Sequence, residues 1–527
     1  MTTTAPQPVG ERWSRSTAAM AVGTTLSRVT GFGRLVALTY ALGAGAMADA
    51  YNLANTLPNV FYDLVLGGIL AQFIVPVFVD QLVTRDEDDG WHAISAITTA
   101  AIALLIAASA LVMIAAPAII AAYRVPSDER AVATLLLRMF APQILFYGLT
   151  ALGGAVLNVR RRFFAPAVTP VLNNVVTIVV LVALPHLRHD LSVHALRRDA
   201  GLLWFLGLGT TAGVGIQAVA LWPAIGWANA PVRWVWDLRH PAVRTVARLS
   251  GWTFGYVATN QVAFLFASWL AARKTGGISA YQYAWTLFML PYGILAVSLT
   301  TVLMPDLSQR WSEGDRRGHR HALGLGLRGV ALLMLPCAAG LAILARPIVE
   351  VLLQHGHFVS SDTALTGDVL ALFAIGLPFF AGYLLLVRGY TSMLDTRTPF
   401  IVNSIENGLN IAFDLALYPV LGARGLDLGF TLAYVCAFVY TALDLSGRLD
   451  GLGGPTVTRT VVRVATATGV MAAVVAAADH LVPGDSGVAL AGRLAVAVIA
   501  GVSVFALAAR VLGNELALLL RTGRRPA

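Results

Sequence analysis

The chain has 527 residues, 57% of them hydrophobic and only 12% charged, with a mean hydropathy of +0.72; this excludes a water-soluble enzyme and indicates a polytopic membrane protein. A formal charge of +9 would suggest nucleic acid in a soluble protein, but here the basic residues occupy short loops between apolar stretches, so no nucleic-acid partner is expected. Cys337 and Cys436 lie inside apolar stretches, which leaves neither a disulfide framework nor a metal cluster to expect.

The first 16 residues are polar, contain Pro6 and Pro8, and do not read as a signal peptide. Stretches long enough to span, roughly 20 residues each, cover 16–42, 49–83, 92–122, 131–157, 165–185, 201–228, 249–272, 279–307, 323–345, 364–392, 398–420, 426–447, 457–482 and 488–512. The expected fold is therefore all-α and polytopic, with about 14 transmembrane helices. An even number places both termini on one side. Arginines crowd the loops of that side, as in Arg160, Arg161 and Arg162 or Arg316, Arg317 and Arg320, so both termini are expected to be cytoplasmic.

The first stretch carries Arg28 and Arg34. An arginine at the centre of a membrane helix costs about 2.5–3.5 kcal/mol, so two in one helix point to a polar cavity inside a bundle. Arg34 lies about 9 Å further along the axis than Arg28 and roughly 120° around it, and one broad cavity can receive both. The second stretch begins with Asp49 and carries Asn52, Asn55, Asn59 and Asp63 at steps of three and four, hence on one face. As a straight helix it would run about 52 Å, beyond the hydrocarbon thickness. Bends are expected at Pro58, Gly67, Gly68 and Pro76.

Residues 229–248, reading NAPVRWVWDLRHPAVRTVAR, are too charged to span and are expected to form an amphipathic cytoplasmic linker on the membrane surface. The eleventh stretch carries a second polar stripe, Asn403, Glu406, Asn407, Asn410 and Asp414, whose hard oxygen donors suit sodium or a proton as coupling ion. Hydrogen bonding between helices is the other reading of that stripe.

The chain also repeats itself. Ala50 to Leu57 aligns with Ala280 to Leu287, and Val75-Pro76 with Met304-Pro305. The expected organisation is an N-lobe of six helices (1–228), the linker (229–248), a parallel C-lobe of six helices (249–447), and two further helices with a basic tail (448–527).

In its motifs the chain resembles the MurJ/MviN lipid II flippases of the multidrug/oligosaccharidyl-lipid/polysaccharide exporter superfamily. The motifs are Ser27-Arg28-x-x-Gly31-Phe32-x-Arg34, Ala48-Asp49-Ala50-Tyr51, Leu57-Pro58-Asn59, Phe73-x-Val75-Pro76, Leu290-Pro291-x-Gly293, Gln354-x-Gly356-x-Phe358 and Asp395-Thr396-Arg397-Thr398-Pro399. The resemblance implies a flippase in the bacterial cytoplasmic membrane that carries lipid II, the undecaprenyl-pyrophosphate-linked peptidoglycan precursor, from the inner to the outer leaflet. It implies Arg28, Arg34 and Asp49 as cavity residues, with Asn59 as a neighbour; Asn52, on the same helix face as Asn59, is a further candidate for substrate binding. Many family members have further arginines where this chain has Tyr62, Asp63 and Thr286. It also implies a sodium site built on an Asn-x-x-x-Asp pair like Asn410 and Asp414, with an acid that here falls near Ala267 or Ser268.

Guanidinium forks suit the oxygens of a pyrophosphate; the alternative is that each arginine pairs with Asp49 or Asp63 to hold helices together. No nucleotide-binding or catalytic motif is present, and neither enzymatic chemistry nor a bound cofactor is expected. The competing functions are a cation-coupled exporter of drugs or another lipid-linked sugar, and a non-transporting scaffold for division or cell-wall synthesis proteins.

Overall fold

The computed structural model describes residues 9–67, 74–484 and 486–513; Gly68, Phe73 and the basic tail with Arg521, Arg524 and Arg525 lie outside them. Every regular element among the described residues is a helix. A hydrocarbon environment imposes this, because each backbone N–H and C=O must be satisfied without water. The chain divides into two compact units, Met1–Gln261 and Val262–Ala527.

Unit 1 contains α1 (Val9–Leu42), α2 (Ala46–Tyr62), a π turn (Asp63–Gly67), α3 (Val75–Thr84), α4 (Glu87–Ala122), α5 (Ser127–Phe140) and α6 (Gln143–Val159). It continues with α7 (Phe164–Leu187), α8 (Val193–Arg198), α9 (Ala200–Val219), α10 (Trp222–Trp227) and most of α11 (Pro241–Ala271). Unit 2 takes the end of α11, then α12 (Gly277–Pro291), a second π turn (Tyr292–Ala296), α13 (Val297–Ser312), α14 (Arg316–Ile343) and α15 (Ala345–Leu353). It ends with α16 (Ser360–Ser392), α17 (Arg397–Leu421), α18 (Ala423–Arg448), α19 (Gly454–Leu481) and α20 (Gly487–Gly513).

Among the described residues, 10 helices or nearly continuous helix pairs are long and apolar enough to cross a membrane. Four stretches of the sequence reading do not meet that criterion. One, 49–83, is interrupted by residues outside the described range. The others lie in α1, α11 and α17, helices of 34, 31 and 25 residues that are long enough but carry the polar side chains discussed below.

The internal repeat is a repeat of backbone as well as of residues. Tyr51 and Tyr281 are both buried, and each meets a phenylalanine edge-on, Phe140 at 5.5 Å and Phe373 at 5.2 Å. In both units the following helix loosens into a five-residue π turn, starting at Asp63 and at Tyr292, 292 − 63 = 229 residues apart. Such turns mark functional positions in helices more often than chance would place them there.

The Asp-Thr-Arg-Thr-Pro motif is a staple. The Asp395 carboxylate accepts from the Arg397 and Thr398 backbone N–H groups (3.1 and 2.9 Å), from the Thr398 hydroxyl (2.6 Å) and from Arg448 at the end of α18 (2.9 Å). Arg448 also meets Asp444 at 2.7 Å, and the Tyr390 hydroxyl donates to that carboxylate at 2.6 Å. The start of α17 is thereby tied to the ends of α16 and α18.

Burial works against ionisation of Asp395, but the Thr398 and Arg448 hydrogen bonds outweigh it and hold its carboxyl below the ordinary value. The stabilisation is therefore complete above the unfolded carboxylate pKa, about 3.9, and is lost as the pH falls through the lower folded value. Asp395→Asn should cost about 1 kcal/mol at neutral pH and flatten the acid limb of a plot of Tm against pH for the purified protein; an unaltered acid limb would contradict this role.

Candidate functional site

Two clusters of polar side chains lie inside the apolar helices, one in each unit. In unit 1, α1 packs against α7 through polar contacts: Asn174 Nδ2 donates to the Ser27 carbonyl (3.2 Å) and the Thr30 hydroxyl (3.0 Å). This face of α1 is held by α7. Arg28, about 160° around the helix from Thr30, is exposed.

Arg34 is half-buried and lies within reach of the Tyr147 hydroxyl of α6, as does the Asn59 side chain from α2. Asn59 Nδ2 donates in addition to the Asn55 carbonyl at 3.0 Å. Three helices thus converge on one phenol. The Tyr62 ring lies 6.0 Å from that of Tyr147, and Asp63 accepts from Gln261 Nε2 at 3.1 Å.

Among the described residues, no carboxylate lies within ion-pair distance of Arg28 or Arg34. This bears on the reading in which the arginines merely pair with Asp49 or Asp63: Asp63 is occupied by an amide instead. Asp49 and Asn52 are each 4% exposed and have hydrogen-bonding or electrostatic partners of their own. Asp49 occupies the first turn of α2, where the helix dipole favours an anion. Of the unit 1 residues singled out from the sequence, Arg34 and Asn59 are joined through Tyr147, Arg28 stands open, and Asp49 and Asn52 are interior.

In unit 2, Asn403, Glu406, Asn407, Asn410 and Asp414 of α17 are all buried. With its amide oriented to satisfy both ends, Asn410 donates to Asp414 Oδ2 (3.3 Å) and accepts from the Phe430 N–H (3.1 Å). Asn407 Nδ2 donates to the Asn403 carbonyl at 2.8 Å. Glu406 Oε2, Asp414 Oδ1 and both oxygens of Asp427 on α18 have no hydrogen-bond partner among the described residues.

Asp427 is fully buried and lies within electrostatic reach of Asp414. Gly429, two residues on, has no room for a side chain, since a methyl there would collide with the Asp414 carboxylate. Ala267 and Ser268, at the place where the resemblance implies an acid, are buried. The described residues include no group of three His, Cys, Asp or Glu side chains arranged to hold a metal ion.

Unit 2 has no counterpart of the arginines at Trp285 and Thr286. Trp285 lies 5.3–6.1 Å from the rings of Phe288, Phe373, Phe380 and Phe430, and the Thr286 hydroxyl donates to its own helix at Gln282 O (2.9 Å). An aromatic core fills that place. The sequence alone did not single out Tyr147, Asn174 or Asp427: Tyr147 is a lone polar residue in an apolar stretch, Asn174 sits beside Asn173 in another, and Asp427 falls at the edge of its stretch.

The Tyr147 unit is open to a double-mutant cycle. Tyr147→Phe removes only the hydroxyl and Asn59→Ala removes one of its partners, so their effects on thermal unfolding should be non-additive by about 0.5–3 kcal/mol. Simple additivity would show that the three side chains do not act together.

A family model described as "Lipid II flippase MurJ" matches residues 38–494. A probable lipid II flippase MurJ of Rhizobium meliloti is 29% identical over 415 residues, covering 77% of this chain and 75% of the relative. The lipid II flippase MurJ of Burkholderia cenocepacia is 32% identical over 419 residues, 77% of this chain and 78% of the relative. Among solved structures, a lipid II flippase MurJ in an inward closed conformation matches with a TM-score of 0.77 at 21% identity, covering 94% of this chain and 99% of that one.

Proposed function

Since the chain belongs to the MurJ lipid II flippase family, we propose that it carries lipid II from the inner to the outer leaflet of the bacterial cytoplasmic membrane, by transport and without covalent chemistry. The observation that carries this reading is the pair of membrane-embedded arginines with no carboxylate partner among the described residues. A lipid pyrophosphate supplies the missing negative charge. Guanidinium groups grip its oxygens bidentately, Arg34 from a position set by Tyr147 and Arg28 from the open face of α1. Asp49 and Asn52 shape the site from within.

The exporter alternative is not favoured, because the family match extends over most of the chain. A drug exporter for cations would also have little use for two uncompensated arginines. The arginine-rich loops support cytoplasmic termini, and a reporter protein fused to either terminus should be active only on the cytoplasmic side.

Arg28→Ala should lower lipid II translocation in proteoliposomes by about 30-fold or more, the cost of removing one partner from a desolvated charge pair being about 2–5 kcal/mol. Insertion and yield should be unchanged. Wild-type flipping by this variant would overturn the assignment.

For unit 2 the reading is ion coupling at Asp414, with Asn410 holding its other oxygen and Glu406 and Asp427 as the nearby acids. Sodium or a proton would meet the unpartnered carboxylate oxygens. Asp414→Asn should abolish the acceleration of flipping by an imposed sodium or proton gradient while leaving the gradient-free rate in place. A full response to both gradients in that variant would remove the coupling role.

A further inference from the structure

His319 of α14, which precedes the apolar stretch 323–345, is 0% exposed, and nothing in the transport reading uses it. Its partner fixes its protonation. Ser392, at the end of α16, donates its one hydroxyl hydrogen to the Gly389 carbonyl (2.6 Å), so in the 2.9 Å contact between Ser392 Oγ and His319 Nε2 the imidazole N–H is the donor. Nδ1 is therefore the bare nitrogen, and it is buried with no hydrogen-bond partner among the described residues.

α14 and α16 approach closely here, since a methyl at Gly389 would sit 3.1 Å from the side chain of Leu323, one turn along α14 from His319. From α13, Trp311 folds back over the imidazole with ring centroids 5.3 Å apart, and the Arg316 guanidinium lies 4.1 Å from the centre of the same indole. The hairpin of α13 and α14 is thus fastened to α16 through this one ring.

The acids around the ring are engaged elsewhere. On α13 and the turn after it, Asp306 and Asp315 take Arg310 (2.9 and 3.4 Å), and Glu313 takes Gln309 (2.8 Å). Beyond α16, Asp395 and Asp444 take Arg448 (2.9 and 2.7 Å). Asp450, whose carbonyl accepts from Arg320 (2.7 Å), is exposed. The other charged groups nearby are cations: Arg316 in electrostatic reach of the imidazole, Arg317 and Arg320 on α14, and Arg388 on α16. A second proton on the ring would bury a charge at Nδ1 with no acceptor, beside Arg316, and an unpaired buried charge is strongly destabilising. The packed hairpin admits only the neutral ring.

We propose that His319 is an acid-released latch, which holds the α13–α14 hairpin on α16 while neutral and frees it when protonated. Because only the open form takes the proton, the ratio of open to packed hairpin rises about tenfold for each pH unit below the ordinary histidine value of about 6.5. The compartment sensed is the one that Arg316, Arg317 and Arg320 face, which is the cytoplasm on the orientation proposed above. The Asp395 staple contributes nothing in this range, since its carboxyl titrates below about 3.9.

Hydrogen–deuterium exchange of the full chain in lipid nanodiscs, expressed as protection factors, reads the opening of residues 309–322. Wild-type protection there should fall about tenfold between pH 7.5 and 5.5. His319→Gln, which keeps an N–H for Ser392 but does not titrate, should hold its protection constant over the same range. Ser392→Ala should lower protection about fivefold already at pH 7.5 by removing the acceptor, and should keep the further fall at pH 5.5. A flat wild-type profile, a fall that persists in His319→Gln, or a Ser392→Ala protein indistinguishable from wild type would each overturn the proposal.

Discussion

A guanidinium in an apolar helix must be solvated by water, by a carboxylate or by an anion it recruits, and the architecture of unit 1 follows from that constraint. Arg34 receives a phenol, which orients it without neutralising it. Arg28 has not even that, because the polar contacts from α7 go to Ser27 and Thr30 on another part of the helix surface. The positive charge of α1 stays available because the neighbouring acids are otherwise placed: Asp63 takes an amide and Asp49 is interior.

The two units show how a duplicated backbone can be given opposite electrostatics. The buried tyrosine and the π turn recur at the same offset, but the side chains have diverged. Unit 1 holds Arg28 and Arg34 on α1 with no carboxylate at ion-pair distance among the described residues. Unit 2 replaces the corresponding region of α12 with packed aromatic rings around Trp285 and buries Glu406, Asp414 and Asp427 in the interior of α17 and α18 with carboxylate oxygens that have no hydrogen-bond partner among the described residues.

The features most legible in the sequence were those that a membrane makes expensive or periodic. Arg28 and Arg34 stood out because of their insertion cost, and Asn403 to Asp414 because steps of three and four put them on one helix face. The repeat was visible because Tyr51 and Tyr281 keep their places. Tyr147 gave no such signal: a single tyrosine in an apolar stretch looks like packing, and only folding brings it to Arg34 and Asn59. Asp427, the second residue of its apolar stretch, carried no periodic signal, and only the packing of α18 against α17 shows it buried beside Asp414. The linker was read from its charge, but its irregular course along α4, with α11 starting only at Pro241, depends on hydroxyls of Ser95 and Thr99 far away in sequence.

Unpaired arginines also make the carrier itself electrically active. Arg28 and Arg34 give α1 about two positive charges; if these two residues hold the substrate as proposed, a pyrophosphate of two to three negative charges would bring the sum to neutral or slightly negative. A potential that is negative inside therefore acts on the empty protein in the opposite sense to a negatively charged loaded one. Since each charge crossing the full field is worth about 2.3 kcal/mol per 100 mV, the potential can work most strongly on the return of the vacant site. On the proposed role of Arg28 and Arg34, the sign of α1 would tie the direction of the cycle to the energised membrane.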